Sequence, residues 1–345
     1  MSLFPTVGRK QPGVRLGWWA VVLVLCLGVF LHLLPFYFMI STSLKTGVET
    51  IADPPTLWPH HVSFAAWQLF FQLVNSSIND PTYAKLLDQP FSTYFLNSLF
   101  MVFMVLILSL PITSLAAYAT SKLLRGPIAR WSFLYFIGTL MVPAAVTLLP
   151  GLLLTLNFPF ALPDGSIPSL PGGSIPVPTL RFWDTPWAVI IPAVFNAFNY
   201  LLFKGFFDTI PNTVIQAARV DGGSEFNIFR RIVLPMSIPV YAVAAWLQFG
   251  ATWDSFLWPT LAINSPEKLP TSVAIYGIMN RFMQAGTTDT SQVQGASAAF
   301  KQAMDAGVTW NGLMVLGILQ TLPIFIMFII CREYLLRGVR IRGLK

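Results

Sequence analysis

Six uninterrupted apolar runs constrain this chain more than any other feature. They fall at residues 18–40, 96–120, 131–156, 187–207, 236–263 and 311–331. Each is long enough for a hydrocarbon core, which takes about 20 helical residues. None alternates apolar with polar residues as a lipid-facing barrel strand does. In hydrocarbon, backbone groups must be satisfied within their own segment, so the runs predict helices. The expected fold class is therefore an all-α integral membrane protein with six transmembrane helices. Composition agrees: 55% of residues are hydrophobic and only 10% charged. Mean hydropathy is +0.65, outside the range of soluble domains.

The 21 Lys and Arg residues set the expected orientation, because basic residues accumulate on the cytoplasmic side. Fifteen lie in one alternating set of connections, with Arg9, Lys10 and Arg15 at one end and Arg337, Arg340, Arg342 and Lys345 at the other. The opposite set holds six: Lys45, Lys85, Arg181, Lys268, Arg281 and Lys301. Both termini are thus expected on the cytoplasmic side of the membrane. The formal charge of +7 is this bias and needs no nucleic acid. The first run follows a basic start without a small-residue cleavage site, which suits an uncleaved signal anchor. Cys26 and Cys331 fall inside spans, so no disulfide is expected. His32 is alone in the first span, and the adjacent His60 and His61 have no metal-binding spacing.

Between the fourth and fifth runs lies a compact charged segment, residues 214–235. Val214, Ala217, Ala218 and Asp221 share one side of a short helix, and the alanine pair allows close approach of another surface. Gly222 and Gly223 stop that helix, since either can take a left-handed conformation. Ser224 is placed to cap a second helix with Phe226, Phe229 and Val233 on one face. Pro235 is expected to end that helix and return the chain to the bilayer.

The segment resembles the "EAA" loop of ABC importer permeases, through Ala217, Ala218, Asp221, Gly222, Phe229, Ile232, Leu234 and Pro235. Gln216 stands where that family places a glutamate, and an amide cannot form the charge-assisted pair a carboxylate makes. The resemblance implies that the loop docks into a separate ATPase. Ala217, Ala218, Asp221 and Gly222 would carry force, Gln216 and Arg219 would supply polar contacts, Leu234 and Pro235 would couple the loop rigidly to the spans, and Phe229 belongs to the same ATPase-coupling set.

Four further stretches resemble sugar permeases of the maltose-type importers: residues 41–45, Asn97-Ser98 with Ala116 to Ala119, residues 253–259, and the tail 337–345. They imply a type I importer fold and the smaller, six-span partner of a permease pair. The implied domain plan is a cytoplasmic N-terminus 1–17, a first helix 18–40 and an external loop 41–95. A five-helix core follows at 96–335, with a coupling loop 208–235 and external insertions 157–186 and 264–310, before the tail 336–345. The implied partners are a second permease, an ATPase dimer at the cytoplasmic face, an external solute-binding protein, a sugar and the lipid bilayer. No phosphate loop occurs, so no cofactor is expected on this chain. ATP would be bound and hydrolysed by the partner, and the chain is not expected to be an enzyme.

At membrane depth, Asn196, Asn199, Gln248 and Asp254 are candidates for a translocation path. Such amides also serve as interhelical contacts worth about 0.6 kcal/mol on average, and Asp254 could lie at an interface beside Trp253 and Trp258. The external segment 157–186, dense in Pro, Gly and Ser, is expected to be irregular. A polar stretch at 289–304 is helix-capable. A polyol or glycerol phosphate is the alternative cargo. In a different class, an ion-coupled secondary transporter would use intramembrane carboxylates and paired broken helices in repeated halves, and the sequence shows neither an internal repeat nor a cluster of buried acids. A membrane-embedded enzyme is disfavoured because the three histidines converge on no acid.

Overall fold

A computed structural model describes residues 12–50, 54–75, 87–158, 166–169, 173–176, 180–287 and 310–340. Apart from one four-residue hairpin, the named elements are helical. The chain divides into two compact units, one of residues 1–86, 279–322 and 341–345, the other of residues 87–278 and 323–340.

In the first unit, α1 (Pro12–Ser43) carries Pro35. Its window from Val14 to Ser43 is apolar enough to span a membrane. The segment after it is more ordered than a plain connector. Ser41 and Tyr37 donate to the Leu57 carbonyl, and the buried Lys45 ammonium donates to the Thr56 carbonyl. Glu49, in the short α2 (Gly47–Thr50), accepts from the Thr56 hydroxyl and the His60 N–H. The His60 amide is the main reason its carboxyl sits below the ordinary range. Helix α3 (Ala65–Asn75) follows.

The second unit is built around α4 (Phe91–Tyr118), which continues through a π turn at Ala119–Leu123. Next come α5 (Gly126–Leu140) and α6 (Ala144–Leu156). They meet at 101°, so the run at 131–156 is not the straight helix expected of it. Pro143 removes a backbone donor at the break. In the insertion, expected to be irregular, β1 (Ser166–Ser169) pairs antiparallel with β2 (Gly173–Pro176). The strands are four residues each, so the all-α expectation holds except at this hairpin.

Helices α7 (Trp187–Ala193) and α8 (Ala197–Thr209) together form one membrane-length segment. Asn196 caps α8 by accepting from the Phe198 and Asn199 amides. After the loop at 210–237, α12 (Ile238–Trp253) is followed by α13 (Leu257–Ala262) and α14 (Thr271–Thr287), and α15 spans Trp310–Arg340. The run at 236–263 is therefore two helices and a break. Helix α14 begins in what read as a polar connector, and Val273, Ala274 and Ile278 are buried. The stretch at 289–304 lies outside the described residues.

Among the described residues, four helices are long and apolar enough to cross a membrane, or up to six if each bent pair counts as one crossing. The core of the second unit is aromatic. Tyr200, Phe203 and Phe207 of α8 pack with Ala117 and Tyr118 of α4 and Val240 and Ala244 of α12.

Candidate functional site

The loop between α8 and α12 starts with α9 (Asn212–Val220). Its apolar anchor is Ile215, which is buried, whereas Gln216 and Ala217 are exposed and Ala218 half-buried. Asp221 ends the helix and Gly222 follows at φ +82°. The Gly222 N–H donates to the Arg219 carbonyl at 3.0 Å and the Gly223 N–H to the Ala218 carbonyl at 2.9 Å. These paired bonds are the Schellman ending, which satisfies two orphan carbonyls. The two glycines are needed for different reasons. Gly222 supplies the left-handed backbone, while a Cβ at Gly223 would lie 2.8 Å from the Ala218 carbonyl oxygen.

Ser224 then caps α10 (Glu225–Ile228), accepting from the Asn227 N–H at 3.4 Å. A π turn at Phe229–Val233 and α11 (Leu234–Met236) complete the second arm. Pro235 does not end it. The helical path runs one residue further, to Met236, and turns by 79° into α12 at Ser237. Ser237 is buried and donates to the Val233 carbonyl at 2.5 Å.

The apolar face of the second arm also differs from the expected one. Ile228, Phe229 and Val233 are buried, but Phe226 is 63% exposed. The buried stripe is set by Ile228, Phe229 and Val233, and Phe226, in α10 ahead of the π turn, lies off it. With Val220, 87% exposed, and the outward Val214, Phe226 gives the loop apolar residues on its outer surface.

The underside of the loop is part of the core of the second unit: Ile215, Ile228, Phe229 and Val233 join Ala117, Tyr118 and Phe207. The Tyr118 ring lies 5.3 Å from Phe229 and 6.4 Å from Phe207. Its hydroxyl donates to Glu225 Oε2 at 3.0 Å, and Arg219 Nε donates to Glu225 Oε1 at 2.6 Å. Arg219 thus spends its charge inside the chain. A half-exposed pair of this kind adds only about 0.2–1 kcal/mol, so its effect is on geometry. Lys122 donates to the Ile210 carbonyl at 2.7 Å and to Asn212 Oδ1 at 2.9 Å, holding the start of α9. Tyr118, Lys122 and Glu225 escaped the sequence reading. Tyr118 and Glu225 are 107 positions apart, and only the acid beside a capping serine hinted at a role.

The candidate path residues fall into two places. Asn196 and Asn199 both donate to Gln248 Oε1, at 3.0 and 2.8 Å, and Gln248 Nε2 reaches Thr252 Oγ1 at 3.4 Å. Asn199 and Gln248 are buried, and Asn199 Oδ1 has no hydrogen-bond partner among the described residues. The three amides thus join α8 to α12. Asp254 stands apart, exposed at the C-terminal cap of α12. Trp253 beside it is buried against Phe249 and Phe95.

A separate clasp centres on Asp184, one of the few residues in left-handed backbone, with φ 60°. Its Oδ1 accepts from the Asn264 and Ser265 amides at 2.9 and 2.8 Å, and its Oδ2 from the Ser265 hydroxyl at 2.6 Å. Lys268 lies 3.5 Å from Oδ2. The Ser265 hydroxyl and amide lead in lowering the carboxyl to about 2. The clasp ties the approach to α7 to the turn between α13 and α14.

The comparisons with known proteins agree on one family. The description "Binding-protein-dependent transport system inner membrane component" matches residues 92–341. The chain is 24% identical to the polygalacturonan/rhamnogalacturonan transport system permease protein of Bacillus subtilis, over 90% of this chain and 92% of that protein. It is 25% identical to an sn-glycerol-3-phosphate transport system permease protein of Yersinia pestis, over 92% of this chain and 94% of that one. The arabinooligosaccharides transport system permease protein of Halalkalibacterium halodurans is 24% identical, with 91% and 90% covered. Among solved structures, a bacterial ABC transporter involved in the import of the acidic polysaccharide alginate superposes with a TM-score of 0.66 at 18% identity. That match covers 94% of this chain and 98% of the other, and it speaks for the fold.

Proposed function

The chain belongs to the binding-protein-dependent transport system inner membrane components, and from that premise we propose that it is the permease subunit of an ATP-driven importer of sugars or oligosaccharides. It forms half of the translocation path beside a second permease and contributes no catalytic chemistry. ATP is bound and hydrolysed by a separate ATPase dimer at the cytoplasmic face, and an external solute-binding protein delivers the cargo. Both termini and the loop at 208–235 face the cytoplasm, a placement the distribution of Lys and Arg supports.

The observation that carries this reading is the two-sided build of the loop. Its inner side is sealed into the core of the second unit, while Gln216, Ala217, Asp221, Gly222 and Phe226 are presented outward. An arm anchored below and bare above is suited to being gripped by another protein. Ala217 and Ala218 allow close approach, and Leu234 and Pro235 continue from the arm towards the bend at Ser237.

Co-purification tests it. This chain, expressed with its second permease and the ATPase, should retain the ATPase. Ala217→Trp should lose both the ATPase and sugar uptake while still inserting in the membrane. Undiminished ATPase recovery with Ala217→Trp would overturn the docking assignment.

A further inference from the structure

We propose that Arg219, Glu225 and Tyr118 form a transmission brace that carries movement of the coupling loop directly into the inner end of α4. The inference rests on the permease reading above and adds a second route for force. One carboxylate is shared by three elements. Glu225, opening α10, accepts from Arg219 in the last turn of α9 at 2.6 Å and from Tyr118, the last residue of α4, at 3.0 Å. Arg219 Nη2 also reaches the Lys122 carbonyl at 3.5 Å, just beyond α4. Both oxygens of Glu225 are engaged by different elements, which fixes the plane of the carboxylate as well as its position.

The covalent routes out of the loop are softer. From α10 to α12 the chain passes through the π turn at Phe229–Val233 and the 79° bend at Ser237. Such turns are places where helices yield. The brace bypasses both. Behind it, the buried Tyr118 ring rests on Phe229 and Phe207, so α4 and α8 receive the same displacement as a packed body. Packed interiors transmit strain because they are dense. Tyr118, Glu225 and Arg219 are accordingly positioning residues for coupling.

The test uses the complete reconstituted complex of both permeases, ATPase and solute-binding protein, measuring substrate moved per ATP hydrolysed together with ATPase retention. Tyr118→Phe removes one hydroxyl and keeps the ring; it should lower the ratio about threefold, and Glu225→Gln about tenfold, both with the ATPase retained. Arg219→Glu should uncouple similarly, and Arg219→Glu with Glu225→Arg should recover the ratio only to about threefold below the parent, because an arginine at 225 rebuilds the ion pair but offers the Tyr118 hydroxyl no carboxylate. A parental ratio in Tyr118→Phe and Glu225→Gln would overturn the brace. So would losses explained wholly by ATPase dissociation. A charge exchange no better coupled than Arg219→Glu alone would also overturn it, since a guanidinium that touches the ATPase itself cannot be moved to position 225. A parent complex that never retains the ATPase would instead remove the permease reading, and the brace with it.

Discussion

Gly222 occupies a backbone conformation that costs other residues about 1–2 kcal/mol, and nothing lies within 4 Å of where a Cβ would sit. Gly222→Ala should therefore fold with modest strain. We expect a melting temperature lowered by a few degrees and ATPase affinity reduced about tenfold, consistent with about 1–2 kcal/mol. Unchanged melting and binding would mean that the left-handed turn is not needed. Asp184 makes a pH prediction of defined sign. Its carboxyl is held at about 2, below the ordinary value of 3.8. A depressed carboxyl contributes stability that is complete above its unfolded value and fades as pH falls towards the folded one. In detergent, the protein should lose melting temperature between pH 4 and pH 2, and Asp184→Asn should start lower and change less over that window. An Asp184→Asn variant melting like the parent at pH 6 would refute the clasp.

At the scale of elements, the amides on α8 and α12 separate two roles. If they fasten helices, Gln248→Leu leaves the buried Asn199 amide and the half-buried Asn196 amide without their shared acceptor, at about 1–3 kcal/mol. Thermal stability should then fall while the substrate concentration for half-maximal uptake stays within about twofold, since affinity follows contacts made to substrate. A fivefold or greater rise without loss of stability would assign Gln248 to the path. How much of this was legible in the sequence depended on the range of the interaction. The helical stop at Gly222 and the cap at Ser224 are local chemistry, and both were readable from neighbouring residues. The break after Leu140 was hidden, because hydropathy stays high across it and reports depth in the membrane but not direction, whereas Asp254 and Ser255 marked the one after Trp253 inside a run read as continuous. Phe226 was misplaced because the buried stripe includes Ile228 beside Phe229 and Val233, and an apolar pattern alone does not say which of two overlapping stripes faces the core. The Tyr118–Glu225 bond could not be read at all, as it joins residues that only folding brings together.

For the molecule as a whole, the basic residues make orientation testable. In a background with Cys26 and Cys331 replaced, Val220→Cys should react with a membrane-impermeant maleimide only from the cytoplasmic side, and Arg181→Cys only from outside. Labelling of Val220→Cys in intact cells would invert the topology and dismiss an ATPase partner at the loop. The substrate class depends on cargo contacts that the loop does not touch, and uptake competition between neutral oligosaccharides and acidic ones would distinguish the cargoes named for its relatives.

The outward placement of Val220 and Phe226 bears on the life of the protein before assembly. A copy synthesised without companions displays greasy knuckles to the surrounding solution, where proteases and chaperones survey unfinished polypeptides. On the docking proposed above, stoichiometry would be policed by that same surface, with surplus subunits cleared and assembled ones shielded.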